Sequence, residues 1–120
     1  MRHEDQYLND ALTAIRDLQE FTSRTTREEF MADKMKHSFV FHRLVILGES
    51  AVCLSRTYRV AYPEVPWARL TGFRNRLVHA YFDLDLDLIW QMASTMLPGL
   101  AFQLEQILRT EFPQAAEPEI

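Results

Sequence analysis

Residues 34–58 constrain the fold more than any other stretch of this chain. Phe39, Val40 and Phe41, then Leu44, Val45, Ile46 and Leu47, then Ala51, Val52, Cys53 and Leu54 place apolar side chains on nearly every face of a helix. The β-branched members would suit strands as well, but no turn residues bound them at strand length. The stretch holds no proline and a single glycine, Gly48, so one long helix from about Lys34 to Tyr58 is predicted. A helix that is apolar all round must be covered on more than one side. In a chain of 120 residues the extra face suits a subunit interface better than a second layer of core.

The flanking segments read the same way. Leu8, Ala11, Leu12, Ile15, Leu18 and Thr22 keep the i, i+3, i+4, i+7 spacing of an amphipathic first helix. Thr26 and Glu29 have capping-box spacing and open a short helix through Phe30 and Met31, with Asp33 a cap for the long helix. Two prolines in Tyr62-Pro63-Glu64-Val65-Pro66-Trp67 make the one clear break, because each disfavours helix in the residue before it. Pro66 or Trp67 then opens a fourth helix ending near 81–83. Asp83 or Asp85 can cap a fifth, striped by Leu88, Ile89, Met92 and Met96; Pro98 kinks or restarts it before Leu100, Ala101, Leu104, Ile107 and Leu108. The expected architecture is all-α: an up-and-down antiparallel bundle of four to five main helices plus a short one. Residues 1–112 would form one domain and 113–120 a flexible tail.

Composition narrows the function classes. A net charge of −4 argues against wholesale electrostatic capture of nucleic acid, though not against a small basic pocket. No apolar run approaches the roughly 20 residues of a membrane span, and residues 1–5 do not read as a signal peptide. The lone Cys53 is expected to be a small buried hydrophobe in a reducing compartment, with the cytoplasm the default location. His3, His37 and His42 are scattered without ligand spacing. Asp83, Asp85 and Asp87, alternating with leucine, are better explained as helix-start residues than as metal ligands. No metal site and no cofactor are expected.

Polar chemistry is concentrated in residues 72–82, Gly-Phe-Arg-Asn-Arg-Leu-Val-His-Ala-Tyr-Phe. At 100° per residue, Leu70, Phe73, Leu77, Val78 and Tyr81 share one sector and Arg74 falls inside it, while Asn75 and His79 share roughly the opposite face. An arginine in an apolar sector needs a partner or a wet groove. Glu49, among Val45, Val52 and Cys53, is the expected partner, orienting the guanidinium.

These residues also resemble a known family. Pro63-Glu64-Val65-Pro66-Trp67, the 72–82 run and Asp85-Leu86-Asp87-Leu88-Ile89-Trp90 closely resemble the HepT-like toxins of the HEPN superfamily, and Leu47-Gly48-Glu49-Ser50 looks like that family's I-G-E-A signature. The likeness spans residues 5–112. It implies a homodimer that is the toxin of a type II or VII toxin–antitoxin pair, a metal-independent endoribonuclease with its R-x4-H site at the dimer interface. Carried onto this chain, it makes Arg74 and His79 catalytic and Asn75, Glu49 and Arg76 supporting. The implied partner is a minimal nucleotidyltransferase antitoxin that silences the toxin by adding AMP to Tyr81. The chain departs from the family pattern at His42, Arg43 and Val45, which leaves the R-x4-H motif intact.

Plainer readings stand beside these. Arg74 and His79 could be an interface pair, Tyr81 a packing residue with its hydroxyl at the rim, and Arg69 and Arg76 solvated charges. Trp67 and Trp90 read as packing anchors. A second function, from a different class, is a non-catalytic helical module that docks a nucleotidyltransferase and serves as its substrate.

Overall fold

The structure, a computed structural model, describes residues 3–79 and 85–113, with side chains up to Arg76 in the first segment. The described residues form α1 (Glu4–Ser23), α2 (Arg27–Ala32), α3 (Lys34–Cys53), α4 (Arg56–Ala61), α5 (Trp67–His79), α6 (Leu86–Thr95) and α7 (Leu97–Glu111), with no strand among them. The all-α bundle is as expected, with two six-residue helices where one short helix was predicted. Residues 114–120 of the predicted 113–120 tail and the candidate cap Asp83 lie outside the described residues.

Local capping explains most boundaries. Thr26 Oγ1 accepts from the Glu29 N–H at 3.1 Å while the Thr26 N–H donates to Glu29 Oε1 at 3.0 Å, closing a reciprocal capping box at the start of α2. Asp33 Oδ1 accepts from the Met35 N–H at 2.9 Å and starts α3. Asp85 Oδ1 does the same for the Leu88 N–H of α6 at 3.1 Å. Pro98 sits in the first turn of α7, where its missing N–H costs no helical bond, so the chain restarts there.

The predicted 34–58 helix is in fact two. α3 stops at Cys53, Leu54 is extended at φ −68° and ψ 141°, and Ser55 precedes α4. The Ser55 N–H, which a continuous helix would give to Ala51, instead donates to the carboxylate of Glu4 at the start of α1. Leu54 turns inward and is buried. Cys53, expected in the core, is exposed at the end of α3 beside the part-exposed Val52. Apolar residues on every face left periodicity unable to say which face is covered.

The core is centred on α1. Its Leu8, Leu12, Ile15 and Leu18 are buried together with Val40, Leu44, Leu47 and Ala51 of α3, Ile89 and Met92 of α6, and Leu104 and Ile107 of α7. Each of these side chains larger than alanine contributes about 1.5–3 kcal/mol on removal from water, before conformational entropy is counted. α2 is clamped on α3 and α6 by Phe30, fully buried, whose ring lies 5.2 Å from that of Trp90 and 4.9 Å from that of His37. Arg43, one of the family-departing positions, donates Nε to Asp17 at 2.9 Å and ties α3 to α1.

The 62–66 segment fixes where α5 begins. Val65 is buried, the Trp67 indole N–H donates to the Tyr62 carbonyl at 2.9 Å, and Gln103 Nε2 donates to the Glu64 carbonyl at 3.0 Å. Trp67 is thereby a packing anchor in the core, and α5 is laid against α3.

Candidate active site

α5 presents three kinds of side chain. Leu70 and Phe73 are buried toward the core, Arg69, Asn75 and Arg76 are exposed, and Arg74 lies at the boundary with 28% of its side chain accessible. That is the position at which a long cationic side chain can bury its methylenes and still present its head group.

The guanidinium is held on two sides. Arg74 Nε donates to Glu49 Oε1 across the α3–α5 contact, and Arg74 Nη1 donates to Asn75 Oδ1 at 2.9 Å. The contact with Glu49 is the pairing expected from the sequence. Its setting is wetter than expected, since 42% of the Glu49 side chain is accessible and Val52 and Cys53 beside it are exposed. Asn75, placed by helical angle on the face of His79, nonetheless reaches its neighbour because the arginine side chain is long enough to curl back. Of the five N–H donors on a guanidinium, these contacts take the Nε hydrogen and one on Nη1. Nη2 is outside both contacts, and its donors together with the second Nη1 hydrogen are of the kind that pair with a phosphate.

The stretch of sequence that carries Arg74 is basic within an acidic chain. Residues 56–76 carry Arg56, Arg59, Arg69, Arg74 and Arg76 against the single acid Glu64, although the whole chain has a net charge of −4. Beside the ion pair, a groove of about 290 Å³ between α1 and α3 is lined by Tyr7, Asp10, Val45, Ile46, Glu49, Ser50 and Cys53.

His79 is the last residue of α5 in the structure, and its side chain, like the whole of Tyr81, lies outside the described residues. Arg74 and His79 are five residues apart on one helix, roughly 7.5 Å along its axis and about 140° around it. The acidic run after α5 is partly accounted for: Asp85 caps α6 and Asp87 pairs with Arg27. No helix among the described residues is long and apolar enough to cross a membrane.

Comparison with known proteins gives this geometry a context. A family model described as "Ribonuclease HepT-like" matches residues 11–107. A Thermococcus cleftensis protein named "Probable ribonuclease HepT" is 32% identical over 105 residues, covering 88% of this chain and 94% of its own. A Methanocaldococcus jannaschii protein provisionally named an RNase is 33% identical over 99 residues, covering 82% of this chain and 91% of its own. A third, from Caldanaerobacter subterraneus and also provisionally named an RNase, is 29% identical over 111 residues, 92% of this chain and 99% of its own. No solved structure matches significantly.

Proposed function

The chain belongs to the ribonuclease HepT-like family, and from that premise we propose that it is a metal-independent endoribonuclease acting as the toxin of a toxin–antitoxin pair. Arg74 and His79 are its catalytic residues, supported by Glu49, Asn75 and Arg76. The observation that carries this reading is the guanidinium of Arg74, pinned by Glu49 and Asn75 with its Nη2 outside both contacts.

In the proposed reaction the ribose 2′-oxygen attacks the adjacent phosphorus and the bond to the departing 5′-oxygen breaks. Histidine, with an ordinary pKa of about 6.5, takes the 2′-hydroxyl proton or gives one to the departing oxygen. One imidazole fills one of these roles at a time, so two copies of His79 across a homodimer would fill both. Arg74 stabilises the charge that builds on the phosphorane without being able to supply a proton itself. The helical angle between Arg74 and His79 favours such a composite site, since one copy turns them to different sides of α5.

Silencing is proposed to occur by transfer of AMP from a cognate nucleotidyltransferase antitoxin to Tyr81. The added phosphate would stand two residues from His79, where an RNA phosphate would otherwise sit, and could pair with Arg74 or Arg76. Expression tests the system. Wild type should arrest growth, His79→Ala should not, and the antitoxin should rescue wild type but not Tyr81→Phe. Equal growth of wild type and His79→Ala would overturn the toxin assignment, and full rescue of Tyr81→Phe would overturn the modification.

A further inference from the structure

We propose that Gly48 is a positioning residue for Arg74: its missing side chain lets α5 approach α3 closely enough for Glu49 to seize the guanidinium. The two other glycines supply the contrast. A Cβ placed on Gly72 or Gly99 would meet nothing within 4 Å. A Cβ on Gly48 would overlap Arg74 Cβ and stand 3.0 Å from Arg74 Cγ and 3.4 Å from Arg74 Cα. The three nearest atoms all belong to one residue, and to its Cα and the root of its side chain rather than its flexible end.

Glycine in a helix interior sacrifices stability relative to alanine, so its place in the middle of α3 calls for a compensating contact. Helix separation is set by the side chains at the crossing point. With no side chain at 48, the Arg74 stem rests directly on the α3 backbone, and the next residue along, Glu49, meets Nε. Gly48 therefore sets the distance and Glu49 the orientation. Carbon atoms pack at about 3.5–4.0 Å, so an alanine at 48 would push α5 back by roughly 1 Å at this point. A displacement of that size at a reacting centre can cost about a hundredfold in rate.

This inference rests on the reading of Arg74 as catalytic, and the experiment separates the two. RNA cleavage and the Arg74 Nε–H resonance are measured in wild type, Gly48→Ala and Gly99→Ala. Gly48→Ala should lose about a hundredfold in kcat, with a smaller change in KM, and its Nε–H resonance should shift toward that of a free arginine. Gly99→Ala should match wild type in both. If wild type cleaves no RNA, the ribonuclease reading falls while the resonance still decides the role of Gly48. A Gly48→Ala protein with an unshifted Nε–H resonance would overturn the inference. Should Gly48→Ala fail to fold, the same change is made beside Arg74→Gly, which removes the stem it strikes. Recovery of folding there supports the inference, and failure of the double variant where Arg74→Gly alone folds overturns it.

Discussion

Arg74 on α5 donates its Nε–H to Glu49 on α3, joining residues 25 apart in sequence across the contact between the two helices. The pair is only partly buried, with 28% and 42% of the two side chains accessible. It should therefore matter far more to the placement of the guanidinium than to stability. Glu49→Gln is expected to cost no more than about 1 kcal/mol of unfolding free energy, yet to reduce kcat at least about tenfold. Urea denaturation beside single-turnover cleavage checks this, and a large loss of stability with unchanged kcat would refute it.

Phe30 holds α2 in place, and with it the packing of α3 on α6. Phe30→Ala removes a fully buried ring in contact with Trp90 and His37, and should cost about 3–5 kcal/mol. Chemical denaturation should show this as a lower midpoint with an unchanged slope. A loss below about 1 kcal/mol would mean that α2 is not part of the cooperative core.

The capping box at the start of α2 predicts a smaller effect. Thr26→Ala leaves the Glu29 N–H without its side-chain acceptor and should cost about 1 kcal/mol, a fall of roughly 3–6 °C in Tm for a chain of this size. Calorimetry would detect it. An unchanged Tm would show that water satisfies the α2 terminus equally well.

Two carboxylates link these caps to pH. The Thr26 backbone N–H, then its hydroxyl, holds the Glu29 carboxyl below its ordinary 4.5, and the Met35 N–H, then Lys36, holds Asp33 below its ordinary 3.8. Both groups favour the folded state when ionised, so their contribution is full above the unfolded-state values and is lost as pH falls through the lower, folded-state ones. Between pH 5 and 3 the urea midpoint of wild type should fall more than that of the Glu29→Gln, Asp33→Asn double variant. Parallel declines would contradict this.

What the sequence disclosed was what local chemistry encodes. The Thr26–Glu29 box, the Asp33 cap, Asp85 as one of two offered caps, and the Pro66–Trp67 start all depend on residues within a turn of one another. The Glu49–Arg74 pair was legible for a different reason, that a cation among leucines requires a counter-charge. The end of α3 was not legible, because the group that takes the Ser55 N–H is Glu4, 51 residues earlier. The exposure of Cys53 was hidden by a helix apolar on all faces. The steric contact at Gly48 was hidden as well, since a glycine inside a helix gives no sign of which neighbour needs the space.

The central claim is that this chain cleaves RNA through Arg74 and His79. Its most direct test is cleavage of RNA, in the presence of a chelator, by purified wild type, Arg74→Ala and His79→Ala proteins whose folding has been verified by circular dichroism. Wild type should produce new 5′-hydroxyl ends, and each variant should be slower by about a hundredfold or more. No cleavage by wild type, or equal cleavage by all three, would contradict it.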